Sequence, residues 1–178
     1  MVDRILRVIK LDFSVFKEIE SDSKATSEAA IVVLITTLLS ALGSAVGSGR
    51  FFSAFLGEML SGIAFWVVWS AISYFVAKSL FQGKGTLEGM LRVLGYASAP
   101  RLLGVFGFIP CLGWLASLAG AILSLIVGFM AVREGMDLDA GQAIIVILVG
   151  AVAWIVVTIV IGIIFGTLAS LTRAVTGS

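Results

Sequence analysis

The sequence predicts an all-α, polytopic integral membrane bundle of five transmembrane helices preceded by a short amphipathic N-terminal helix. Three observations carry that prediction. Apolar residues, counting Ala, Val, Ile, Leu, Met, Phe, Trp, Tyr and Cys, fill 60% of the 178 positions and charged residues only 13%, against about 45–50% and about 25% in soluble domains. Mean hydropathy is +1.14, so a domain of this size carries more apolar surface than one water-facing fold can hide. Uncharged stretches of spanning length also recur along the chain, and about 20 apolar residues are what crosses a hydrocarbon core about 30 Å thick.

The elements follow in order. Residues 1–27 form a segment of a different kind, with Val2, Ile5, Leu6, Ile9, Phe13 and Phe16 at helical spacing and Arg4, Arg7, Lys10 and Lys17 largely elsewhere on the wheel. It is expected to be a cytoplasmic amphipathic helix lying on the inner leaflet or serving as an arm for a partner. Both charge signs are mixed through it, unlike a cleavable signal, so an uncleaved cytoplasmic N-terminus is expected. Residues 28–178 form the transmembrane domain. Ala29 to Gly49 gives 21 uncharged residues, Met59 to Ala77 gives 19, and Ala140 to Thr172 gives 33. Leu102 to Val132 gives 31, broken by the turn-like Gly107-Phe108-Ile109-Pro110-Cys111-Leu112-Gly113. Read as a hairpin, this stretch yields spans at 29–49, 56–79, 87–109, 113–132 and 142–168; read as one span, it yields four, with Leu87 to Arg101 on the membrane surface. Thr86 with Glu88, and Asp139 with Gln142, carry helix-start signals before the third and last spans. With the N-terminus inside, nine basic residues fall on or near the inner side and three elsewhere, as the positive-inside bias requires. Five spans put Ser178 outside the cytoplasm; four put it inside.

Charge and residue inventory exclude several function classes. A net charge of +1 offers no basic field for nucleic acid. The chain has no histidine and a single cysteine, Cys111, which removes most zinc ligand sets and every histidine-based triad. No catalytic, cofactor-binding or metal-binding residue is assigned. Asp137 and Asp139 are too few ligands for a cation site and read as a solvated charge and a cap.

Val93-Leu94-Gly95-Tyr96-Ala97-Ser98-Ala99-Pro100 resembles the Gly-Tyr-x-x-x-Pro signature of the Yip-domain family, the Rab-interacting membrane proteins of eukaryotic secretory membranes and their prokaryotic relatives. Phe16-Lys17-Glu18-Ile19-Glu20, Gly83-Lys84-Gly85-Thr86, Ala131-Val132-Arg133-Glu134 and Gly141-Gln142-Ala143-Ile144 also resemble family patterns, so the similarity covers nearly the whole chain. It implies five spans and a cytoplasmic N-terminus. The eukaryotic members' longer cytosolic region and Asp-Leu-Tyr-Gly-Pro motif are both missing here. The chain is therefore more similar to the prokaryotic branch, which implies a prokaryotic cell membrane and carries no Rab-type GTPase partner with it.

Physics gives the same residues work. Pro100 removes a backbone donor and should kink the third helix, while Gly95 and Gly104 let neighbours approach. Tyr96 needs a hydroxyl partner, with Arg92 one turn earlier on the same face. Arg101, roughly 13 Å below the outer surface by helical rise, also needs a partner, and Glu58 is the candidate for an intramembrane polar pair. Small residues repeat at four-residue spacing: Ala116, Gly120, Ser124 and Gly128 on the fourth span, Gly43 with Gly47, and Gly162 with Gly166. They read as helix-packing faces within the bundle or between two copies. Trp66, Trp69 and Trp154 lie deep and read as packing residues, whereas Trp114 is placed to anchor the outer interface. The expected function is a non-enzymatic membrane-organising or partner-recruiting scaffold in membrane trafficking or homeostasis. Its partners would be the lipid bilayer and a membrane protein or second copy. The alternative is a small channel or transporter using Arg101 and Glu58.

Overall fold

The computed structural model describes residues 1–45, 50–102 and 112–176. These residues form α1 (Val2–Ile9), α2 (Val15–Ser21), α3 (Ala25–Ala45), α4 (Phe51–Phe81), α5 (Leu87–Tyr96), α6 (Leu112–Met136) and α7 (Ala140–Thr176). Among the described residues, four stretches are long and apolar enough to cross a membrane: Ala25–Leu42, Phe51–Phe81, Leu118–Met136 and Ala140–Val160. Large apolar side chains such as Phe52, Leu60, Phe75, Leu125, Leu148 and Val152 stand exposed on their outer faces, which only a lipid solvent tolerates on this scale. The chain is thus the all-helical multi-pass bundle that its composition predicts.

Contacts fix how the helices run. Thr37 of α3 meets Gly62 of α4 and Ser40 meets Glu58, so residue numbers rise on one helix as they fall on the other and the pair is antiparallel. Gly150 of α7 faces Trp69 and Ile72 of α4, and Trp154 packs edge-on against Phe65 at 4.9 Å, an antiparallel pairing again. By contrast Thr26 pairs with Arg92 and Ala29 with Gly95, so α3 and α5 run parallel with α4 crossing between them in sequence. One end of the bundle gathers α1, α2, the start of α3 and the connections between α4 and α5 and between α6 and α7. There the Lys84 amide donates to the Met136 carbonyl at 3.0 Å.

Local chemistry sets the helix ends. Thr86 Oγ1 accepts from the Gly89 amide at 3.0 Å and caps α5. Asp139 and Gln142 form the reciprocal capping box that their spacing predicts, at 2.8 and 3.1 Å. Past the ends of α4 and α6, Gln82 and Asp137 adopt left-handed φ values of 53° and 56°, closing each helix with amide-to-carbonyl bonds that reach back over its last turn.

The short α5 is the axis of the core. Gly89, Met90 and every residue from Arg92 to Tyr96 are buried, among Ala25, Ala29 and Val32 of α3, Val127, Ala131 and Met136 of α6, and Ala143 and Val146 of α7. The sequence predicts a continuous, kinked third helix over 87–109. Instead α5 stops at Tyr96, and a 3₁₀ turn follows over residues 99–102. Pro100 sits in that turn, four residues beyond the helix, so its missing donor ends the helix rather than bending it.

Gly95 decides how closely α3 and α5 approach. A Cβ built there would lie 2.7 Å from Ala29 Cβ and 3.2 Å from its backbone carbonyl oxygen, closer than carbon atoms pack. Gly95→Ala should therefore destabilise the bundle by about 1–3 kcal/mol through overpacking, read as a lower midpoint of thermal unfolding in detergent. Adding Ala29→Gly should recover part of the loss, whereas an unchanged midpoint in the single variant would contradict the close approach.

Candidate functional site

Two polar assemblies stand out in an otherwise apolar molecule. The first ties the N-terminal helices to the bundle. Burial of α5 carries Arg92 into the core, where its guanidinium would be stranded without partners. Its Nε donates to Thr26 Oγ1 at 2.7 Å, Nη1 to the Glu20 carbonyl at 2.8 Å and Nη2 to the Glu88 carboxylate at 3.0 Å. One side chain thus joins α5 to α2 and α3. One turn on, the fully buried Tyr96 donates its hydroxyl to Glu28. Glu28 also accepts from Arg4 Nη1 at 3.2 Å, and Arg4 continues to Asp22 at 2.7 Å and Glu18 at 2.9 Å. Arg7 extends the chain of pairs to Glu18 at 2.9 Å and Asp12 at 2.8 Å. The Arg4 guanidinium, with the Lys24 amide, holds the Asp22 carboxyl below its ordinary range.

A second tie fixes α2 from the other side. Lys17 and Lys84 reach Asp137 at 2.8 and 2.9 Å, and the two ammonium groups, Lys17 foremost, draw the Asp137 carboxyl down to about 2. Beneath these bonds Val8, Val15, Phe16 and Ile19 are fully buried in the core. The N-terminal segment is therefore docked on the bundle. Of its predicted apolar stripe, Phe16 is buried, Ile5, Ile9 and Phe13 are half-buried, and only Val2 and Leu6 remain exposed.

The second assembly is a cavity of about 920 Å³ between α3, α4, α6 and the turn after α5. Both Arg101 and Glu58 line it, with Thr36, Thr37, Ser40, Ser98 and Ser124 as polar neighbours and Phe65, Trp66 and Trp69 as aromatic walls. The two charges do not meet: among the described residues no ion pair joins them. Arg101 lies over the Phe65 ring, 5.5 Å from its centroid, and Glu58 accepts from Ser40 Oγ at 3.2 Å. The direct pair expected from the sequence is replaced by shared lining of one space. Trp66 donates its indole N–H to the Leu91 carbonyl at 3.0 Å, fixing the wall beside α5. No cluster of three or more metal-ligating side chains occurs among the described residues.

The small-residue faces behave differently from simple packing stripes. Gly120, Ser124 and Gly128 line the cavity, and a Cβ built on Gly128 or Gly162 would meet nothing within 4 Å. Close helix contact occurs instead at Gly62 against Thr37 and at Gly95 against Ala29. Gly47 and Cys111 lie outside the described residues, as do the side-chain surroundings of Gly43, Trp114, Ala116 and Gly166. Sequence reasoning assigns Tyr96 to Arg92; the hydroxyl goes to Glu28, and Thr26, Glu20 and Glu28 are partners that no spacing rule reaches. The one signal available was that Thr26 and Glu28 stand at the start of the first uncharged run, the depth at which a helix entering from the same side places Arg92 and Tyr96.

Arg92→Met keeps the volume and removes the donors, leaving the Glu20 carbonyl and Thr26 hydroxyl unsatisfied; it should cost about 2 kcal/mol and raise hydrogen exchange in α2 before the long helices. Unchanged protection of α2 would disprove the tether. The Asp137 tie has a defined pH window. A carboxyl with a depressed folded pKa adds stability above its ordinary value of about 3.9, and loses it as pH falls toward about 2. The distance between spin labels at Ser21→Cys and Leu80→Cys should hold down to about pH 5 and broaden between about pH 4 and about pH 2. With Asp137→Asn it should be broad throughout.

The comparison with known families agrees with this architecture. The Yip1 domain matches residues 13–164, from α2 through most of α7, and takes in the Gly95-Tyr96-x-x-x-Pro100 segment at the centre of the bundle. No curated protein and no solved structure gives a significant match. Family match and helical architecture together place the chain in the Yip1-domain family of integral, multi-pass membrane proteins.

Proposed function

We propose that the protein is a non-enzymatic scaffold that organises membrane or recruits a membrane-protein partner through its cytoplasmic face, with the N-terminus inside and the C-terminus on the opposite side of a prokaryotic cell membrane. The observation that carries this reading is the ion network that fixes α1 and α2 to the bundle while Val2 and Leu6 stay 63% and 48% exposed. Five ion pairs made by Arg4 and Arg7 order an arm that could otherwise have stayed mobile, and an ordered arm with an apolar edge suits recognition better than a flexible leader. Basic residues concentrated at this end agree with a cytoplasmic placement. The partner is a membrane protein or a second copy of the chain; a Rab-type GTPase is not invoked.

A second reading is favoured by one observation, the presence of Arg101 and Glu58 in one cavity of about 920 Å³: a small channel or transporter whose pathway uses both charges. The two readings part in a single pair of experiments. Mild cross-linking in membranes followed by purification should bring down a stoichiometric partner or dimer with the wild type, and Val2→Ser with Leu6→Ser should abolish it without changing the unfolding midpoint. No cross-linked species in the wild type, together with a proteoliposome ion flux that disappears in Arg101→Gln and Glu58→Gln, would overturn the scaffold in favour of transport.

A further inference from the structure

The cavity between α3, α4 and α6 contains more unspent polar capacity than either proposed function needs. Its depth can be read from the helices. From Leu87, the 10 residues of α5 climb about 15 Å, halfway through a core about 30 Å thick. Ser98, whose Oγ lies 3.4 Å from Thr36 Oγ1, confirms that level, since Thr36 is about 16 Å along α3 from Ala25. Arg101 is three residues further on in the same turn. Its guanidinium therefore projects at mid-membrane with an aromatic ring on one side and no carboxylate bonded to it among the described residues. The Phe65 ring serves only the guanidinium face; the N–H edge still calls for a forked oxygen acceptor, and phosphate is the group that fits that fork.

Glu58 supplies the opposite requirement. It bonds Ser40 and pairs with no cation among the described residues. A plain anion bound at Arg101 would face this carboxylate, and a plain cation bound at Glu58 would face the arginine. A ligand carrying both signs satisfies both groups. A third observation is independent of charge: Ser124 Oγ lines the same cavity, is shielded from solvent and has no hydrogen-bond partner among the described residues, an uncommon state for a buried hydroxyl. Leu125, also lining the cavity, is 73% exposed on the lipid side of α6. The space therefore opens sideways into the bilayer, and its volume lies within the range of about 300–1,000 Å³ typical of small-ligand sites.

We propose that this cavity binds one phospholipid with a primary-ammonium headgroup, its phosphate on Arg101 and its ammonium on Glu58, while the acyl chains leave laterally past Leu125. Ser124 donates to a headgroup oxygen, and Phe65, Trp66 and Trp69 pack the glycerol end. Entry from the bilayer, rather than from water, makes the occupant a lipid and not a soluble zwitterion.

The test is native mass spectrometry of the detergent-purified protein after addition of equal amounts of phosphatidylethanolamine and phosphatidylglycerol. The wild type should retain one phosphatidylethanolamine, in clear preference. Arg101→Gln should lower retention of both lipids about tenfold, and Glu58→Gln should erase the preference while leaving total retention. Gly128→Leu is the control for folding, since Gly128 lines the cavity and a Cβ there touches nothing within 4 Å, so the added side chain takes up cavity space. It should exclude the lipid with an unchanged unfolding midpoint. Equal retention of the two lipids by the wild type, or wild-type retention by Arg101→Gln or Gly128→Leu, would overturn the proposal. Displacement of the bound lipid by soluble phosphoethanolamine at equal concentration would overturn it too, by assigning the site to a water-borne zwitterion.

Discussion

The architecture depends on one close approach. Two helices that run parallel cannot be joined by a short turn, so nothing in chain connectivity brings α3 and α5 together. They meet because Gly95 presents no side chain to Ala29. That approach, repeated along the pair, puts Thr26 within reach of Arg92 and Glu28 within reach of Tyr96. Once those bonds exist, α2 is held through the Glu20 carbonyl and α1 through Arg4. Burial of a guanidinium and a phenol in the core is tolerable only because each polar atom is matched, and a partly matched network would be worse than an apolar one.

The same helix explains why the cavity lies where it does. An element of 10 residues fills only about half of the membrane thickness, the half next to α1 and α2. Its end is set by Pro100, which withholds the amide that a further helical turn would use, and the 3₁₀ turn at 99–102 aims Arg101 at the space beside Phe65. α6 leans on α5 and α7 rather than on α3, so the outer stretch of α3 is left facing polar residues across a gap. A motif that the sequence presents as one unit thus does two jobs, with Gly95 and Tyr96 closing the half next to α1 and α2 and Pro100 opening the other one.

Much of the fold is legible in the sequence because it rests on local or one-dimensional signals. Uncharged runs find the long helices, although the helices extend beyond those runs at several ends because charged residues such as Glu28 and Arg133 are accommodated in interfacial turns. Thr86 and the Asp139–Gln142 pair cap the helices their spacing announces. What the sequence does not disclose is relative depth and rotation. Tyr96 has a plausible partner on its own helix at Arg92, yet the bond goes to another helix because both side chains point outward from α5 to different neighbours. Four-residue spacing of small residues marks a smooth face, and a smooth face can line a void as well as a contact: Gly62 is packed, Gly128 is not. The N-terminal stripe shows the same limit, since Val15 and Ile19 complete a buried surface that only the presence of α5 and α6 makes visible.

The Lys17–Asp137–Lys84 bridge joins three separate parts of the chain on the same side where α5, α1 and α2 are already interlocked. Stiffness is consequently distributed unevenly across the bilayer. The half of the bundle next to α1 and α2 is a cross-braced block, while the opposite half consists of long helices with exposed apolar flanks around a space. Helices in that opposite half can lean with fewer polar bonds to break than those in the braced block. A lean of the long helices there would alter the taper of the molecule rather than its length.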